Sequence, residues 1–101
     1  MIAPCNAQDA EAYVALMTED ACAAGYRGAV LRERRHGIRE GLKAMFAEFP
    51  ENRAEIITGH ELDEFAVLHD RVYRSPTAKP FEVMSIYSFE GDKCSRVEFV
   101  R

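Results

Sequence analysis

The chain has 101 residues, 48% of them hydrophobic and 30% charged, with a net charge of -4, which predicts one domain over residues 1–101 with a single core. The acidic balance argues against a broad nucleic-acid surface, and no apolar run approaches the roughly 18 residues that suggest a membrane span. Met1-Ile2-Ala3-Pro4 lacks the basic and apolar regions of a signal peptide. Cys5, Cys22 and Cys94 are widely spaced and form no Cys/His ligand cluster, so they read as reduced thiols of a cytoplasmic protein.

Along the chain, Asn6 is a good helix N-cap with Asp9 three residues on, and Tyr13, Leu16 and Met17 then fall on one side of a helix ending near Thr18. Ala29 to Arg35 is expected to add a short strand. Arg32, Arg34, Arg35 and His36 alternate with Glu33, as on a solvated strand edge; phosphate binding is the sharper alternative. A second helix is clearer: Ile38, Leu42, Met45, Phe46 and Phe49 follow i, i+4, i+7, i+8, i+11, and Pro50 stops it. This predicts a helix over residues 38–49 with that stripe buried.

The second half reads as four strands: Arg53–Glu61, Glu64–Arg74, Phe81–Phe89 and Cys94–Val100. Short connections, among them Ser75-Pro76-Thr77 and Glu90-Gly91-Asp92, imply an antiparallel meander. Neither middle strand alternates cleanly between apolar and polar, so both faces of the sheet are expected to be covered, one by helices and one by a partner subunit.

Four stretches together resemble the NTF2-like superfamily, and within it the bacterial SnoaL-like and steroid Δ-isomerase-like proteins: CNAQDAEAYVALMTEDA, HGIREGLKAMFAEFP, EFAVLHDRVYR and VMSIYSFEGDKCSRVEFVR. The resemblance covers nearly the whole chain. It implies an α+β cone, with helices packed on a curved, mostly antiparallel β-sheet and a pocket between them. It also places Met1, Gly25 and Ser85 where ketosteroid isomerase carries its oxyanion-hole tyrosine, its base and its protonated aspartic acid. That catalytic set is therefore absent, and the dienolate route lacks both proton acceptor and charge stabilisation.

By the same resemblance, the concave sheet face carries Val67, His69, Arg71, Ser85, Tyr87, Val97 and Phe99, closed from the helices by Tyr13, Met17 and Phe46. Tyr26 sits in a loop near the pocket mouth. His69 is the candidate acid/base, with Tyr87 and Ser85 as hydrogen-bonding groups; a structural histidine bonded to its neighbours is the competing reading. Arg71 suits a carboxylate or enolate, or an edge ion pair with Glu61 or Glu82. His36 and His60 are too isolated for a metal site, and no cofactor motif is present. The expected function is binding, with cofactor-free acid/base transformation, of a small apolar or aromatic molecule (isomerase, dehydratase or cyclase type). The alternative is a non-catalytic dimerisation or ligand-sensing module. A homodimer is expected through the convex sheet face, with Leu68, Val72, Met84, Ile86 and Val100 in the contact.

Overall fold

The computed structural model describes residues 6–26, 28 and 30–100. Among the described residues, two helices, α1 (Ala10–Ala15) and α2 (Arg34–Glu48), accompany six strands: β1 (Met17–Gly25), β2 (Val30–Glu33), β3 (Arg53–Leu62), β4 (Phe65–Tyr73), β5 (Phe81–Glu90) and β6 (Lys93–Val100). The strands form one curved, open sheet in the order β2-β1-β6-β5-β4-β3. Every pairing is antiparallel except β1 with β6. The α+β architecture, the four-strand meander and the short strand before the second helix agree with expectation.

The first helix is shorter than the sequence suggests, and its cap is different. Asp9, not Asn6, is the N-cap: its carboxylate accepts from the Ala12 amide at 3.0 Å. Asn6 instead reaches the free edge of the sheet. Its Nδ2 donates to the Ala54 carbonyl at 2.9 Å, and its Oδ1 accepts from the Ala54 amide at 2.7 Å. One side chain thus satisfies both outward-pointing backbone groups of an edge residue, and ties the N-terminal segment to β3.

Residues 17–25 form a strand where the sequence suggested the end of a helix and a loop. Met-Thr-Glu-Asp-Ala-Cys-Ala-Ala-Gly has poor intrinsic β preference. Pairing decides the matter: β1 is held on one side by β2 and on the other by β6. Its small residues then have a purpose. Ala21 and Ala24 are sealed from solvent, and α2 packs mainly on this strand. From β2 the chain enters α2 directly at Arg34, a left-handed residue with φ 61° that turns the corner without a loop.

Helix α2 begins four residues before the predicted start and ends at Glu48, just ahead of Pro50. Arg34, Arg35 and His36 therefore occupy its first turn, and Arg35 pairs loosely with Glu19 at 3.6 Å. The predicted stripe faces inward: Ile38 and Phe46 are buried, while Leu42, Met45 and Phe49 are half-buried. The main core gathers Tyr13, Val14, Met17, Ala21, Ala23, Ile38, Tyr87, Cys94 and Val97. Phe46 lies beside it, against the Ala7–Glu11 segment. Truncating Phe46 to alanine is expected to cost about 3 kcal/mol, the low end for a buried phenylalanine. An unchanged urea midpoint would remove Phe46 from the packed interior.

The register fixes which residues share a face. Residues directly opposite in a ladder lie on the same side of the sheet. Leu68 faces Ser85, Asp70 faces Val83, Ser85 faces Phe99 and Tyr87 faces Val97. Ala66, Leu68, Asp70 and Val72 of β4 therefore share the inner, helix-covered face with Val83, Ser85 and Tyr87 of β5. Val67, His69 and Arg71 lie on the outer face. This reverses the expected parity of β4 while that of β5 stands. It also corrects the expected dimer face: Leu68 and Val72 point inward, whereas Met84, Ile86 and Val100 point outward.

Candidate functional site

Between α1, α2 and the inner sheet face lies a cavity of about 290 Å³. Its floor comes from the meander: Ala54 of β3, Asp70 and Val72 of β4, Phe81, Val83, Ser85 and Tyr87 of β5, and Phe99 of β6. Tyr13 of α1 and Leu42 and Met45 of α2 cover it, and Leu31, Asn52 and Arg74 complete the lining. The wall is chiefly apolar with a few polar groups, the usual make-up of a small-molecule site.

Two polar side chains sit deep in this wall. Asp70 is 3% exposed and Ser85 2%. They stand on neighbouring strands at diagonal positions of one face, since Asp70 is opposite Val83. The Asp70 Oδ1 atom is buried and has no hydrogen-bond partner among the described residues. Burial pushes the Asp70 carboxyl above its ordinary range, because the apolar surroundings disfavour the charged form; the neighbouring His69 pulls weakly the other way. A buried carboxyl oxygen without a partner is costly for folding, and acids whose ionisation is shifted by burial in a cleft are common at functional sites.

Arg74 organises the rim. Its Nη1 donates to Asn52 Oδ1 at 3.0 Å and approaches Met45 Sδ at 3.1 Å. The guanidinium carbon lies 5.1 Å from the Phe81 ring centroid and 5.2 Å from that of Phe49. Stacking on two rings holds the cation against the end of α2 and the buried Asn52.

The expected site residues divide into three groups. Tyr13, Ser85, Tyr87 and Phe99 line the cavity. Met17 and Val97 are fully buried in the adjoining core, and Phe46 faces a separate shallow depression near Ala7–Glu11. Tyr26, 49% exposed, does not line the cavity.

Val67, His69 and Arg71 are on the opposite face of the sheet. There His69 Nε2 lies 2.6 Å from Glu82 Oε1, and Arg71 stands across from Glu55 and Glu82. His69 is thus not the cavity's acid/base. Asp70, which the expected parity puts on the convex face with Leu68 and Val72, is the residue that points in. Its own strand offered no warning, because Phe65, Val67 and Tyr73 make the outer face as apolar as Ala66, Leu68 and Val72 make the inner one. The register against β5 breaks that tie. Phe81 and Val83 were recoverable from their parity with Ser85, and Leu42 and Met45 from the α2 stripe. Asn52, in a turn, carried no signal.

Of the three positions matched to ketosteroid isomerase, Met1 lies outside the described residues. Gly25 ends β1, with nothing within 4 Å of where a Cβ would stand. Ser85 is in the cavity. Cys22 and Cys94 are free thiols, and burial pushes the Cys94 thiol up. Among the described residues no three His, Cys, Asp or Glu side chains come together as metal ligands, and no helix is long and apolar enough to cross a membrane.

Comparison with known proteins fits this geometry. No curated protein matches the chain. A cystatin-fold protein of uncharacterised function from Novosphingobium aromaticivorans is 50% identical, with a TM-score of 0.94 over 99% of this chain and 91% of that one. Two more distant structures share the fold alone. One is a ketosteroid isomerase-like-fold protein from Catenulispora acidiphila, solved with trimethylamine (12% identity, TM-score 0.82, 99% and 80% coverage). The other is a candidate polyketide cyclase from Sinorhizobium meliloti (17% identity, TM-score 0.82, 98% and 88% coverage). Residues 1–97 match the SnoaL-like domain model, and the chain belongs to that family.

Proposed function

We propose that the domain binds a small, largely apolar organic molecule in the 290 Å³ cavity and moves a proton on it without a cofactor, Asp70 serving as the acid/base. The observation that carries this reading is Asp70, a buried residue that lines the apolar cavity and whose Oδ1 has no partner among the described residues. A carboxyl lifted above its usual range holds its proton closer to neutral pH, where an acid/base group is most effective. Ser85 supplies a second polar group on the same wall, and Tyr13 and Tyr87 bound the space. Isomerisation, dehydration and ring closure all need such a proton relay. Steroid isomerisation by the known catalytic set is not part of the proposal, since the resemblance places Gly25 and Ser85 where that set has its base and its acid.

The test is exchange of α-protons for deuterium in a panel of small ketones, followed by NMR. The protein is expected to accelerate exchange of at least one of them, and Asp70→Asn to lose about 10²- to 10⁴-fold of that acceleration, the usual worth of a positioned acid/base. Full activity in Asp70→Asn would remove Asp70 from the role. Binding with no exchange on any ketone would favour a ligand-sensing module.

We also propose a homodimer through the outer sheet face. Phe65, Met84 and Val100 are exposed there, and Val67 and Ile86 lie between them. A two-fold contact covers such a patch with its own copy. Sedimentation should give a dimer at micromolar concentration, and Ile86→Asp a monomer, because a charge buried between apolar faces finds no partner. A monomeric unmodified protein would sink the proposal.

A further inference from the structure

We infer that the cavity takes a ligand with an apolar body and one carboxylate, the carboxylate held by Arg74 and the other end directed to Asp70; this rests on the ligand-binding reading above and names its substrate class. Placement is the first argument. Among the described residues that line the cavity, Arg74 is the only cation and Asp70 the only acid. Asp70 lies within β4, and Arg74 follows its last residue, Tyr73. At about 3.3 Å per extended residue, their backbones stand roughly 13 Å apart. Val72 lies between them on the same wall, with Phe81 and Val83 of β5 beside it. The wall therefore has two polar ends and an apolar middle. A ligand carboxylate leaving water is attracted to the cation and gains nothing beside the acid, so the charges also set which way round the ligand lies.

Preorganisation is the second argument. The Arg74 guanidinium carbon lies 5.1 Å from the Phe81 ring centroid and 5.2 Å from that of Phe49. Its Nη1 donates to Asn52 Oδ1 at 3.0 Å, and Asn52 is itself only 3% exposed. Stacking and this bond hold in advance a side chain that would otherwise lose much rotamer freedom on gripping a ligand. The planar fork of N–H donors matches the paired oxygens of a carboxylate. Asn52 and Met45, the two groups that Nη1 meets, are both neutral. A carboxylate adds the attraction of unlike charges, which is stronger beside apolar walls than in water, so it competes well with them. A dianion such as a phosphate monoester would bring a second charge that this lining does not balance.

The test is titration of the full chain by amide NMR with three probes of one skeleton: 4-phenylbutyrate, 4-phenylbutyramide and protonated 4-phenylbutylamine. The carboxylate is expected to shift the amides of Asn52, Arg74 and Val83 and to bind at least about tenfold tighter than the neutral amide, with the cation weakest. Arg74→Gln should bring carboxylate and amide to within about threefold of each other. Arg74→Lys, which keeps the charge and loses the fork, should fall between. Should neither variant fold, the parent decides: the shift difference between carboxylate and amide is expected to centre on Asn52 and Arg74, and a difference centred on Ser85 would overturn the assignment. An amide bound by the parent as tightly as the carboxylate would overturn the inference while leaving an apolar ligand cavity in place. A carboxylate preference that survives intact in Arg74→Gln would do the same, making Arg74 a structural residue alone. Silence of the cavity amides with all three probes would overturn this inference and the ligand-binding reading together.

Discussion

Replacing Asp70 with leucine is expected to stabilise the protein at pH 7 while abolishing proton transfer in the cavity. Leucine has the same number of side-chain heavy atoms in the same branched shape, so it fills the space without a void. It also removes a carboxyl whose Oδ1 is buried without a partner among the described residues. Such a group costs about 1–3 kcal/mol, and for a domain of this size each kcal/mol moves Tm by about 4–8 °C.

The pH dependence has a definite sign. The folded-state value of Asp70 lies above its ordinary 3.8 because of desolvation, so between those values the native state holds more protons than the unfolded one. Stability therefore falls as pH rises through that window and stays reduced above it. Asp70→Leu should remove this fall. Its advantage should be large at pH 7 and should shrink below the ordinary aspartate range. A leucine variant less stable than the parent at pH 7 would mean that the carboxyl is satisfied in the folded protein.

Met17→Ala is expected to cost about 3–5 kcal/mol, in the upper part of the range for a core methionine. Met17 is 1% exposed and stands where α1 gives way to β1, opposite Cys94 of β6. The side chain is sealed on all sides, so the hole left by truncation has no route to collapse. A domain of this length has about 5–15 kcal/mol in total, so the variant should be near unfolding at body temperature. Urea denaturation checks this; a loss below about 1 kcal/mol would place Met17 outside the cooperative core. Because β1 has little intrinsic strand preference, the same change should also loosen the pairing of β1 with β6.

The fold was legible where the sequence pattern had a single period. The α2 stripe, Pro50 and the turns at Asp63 and Gly91 located one helix and four strands to within a few residues, and the order of motifs located the family. β1 was not legible, since its alanines and acids suit a helix or loop and only pairing with β6 makes them a strand. The site was half legible. Ser85, Tyr87, Phe99 and Tyr13 were found because the family resemblance assigns them to the pocket, and the structure keeps that parity on β5. On β4 both faces carry apolar residues, so hydrophobicity left a choice between His69 and Asp70. A histidine is the more usual acid/base near neutral pH, but the register of β4 against β5 turns the aspartate inward. A parity error of one residue moved the entire polar content of the strand to the wrong side.

The central claim is that Asp70 is a buried, perturbed carboxyl facing a ligand cavity, and the most direct measurement is its own titration. Protein labelled with ¹³C at the aspartate side-chain carboxyl, assigned by comparison with Asp70→Asn, gives the ionisation midpoint of this one group by NMR. The account predicts a midpoint clearly above the ordinary aspartate value of 3.8. A midpoint at or below that value would contradict it.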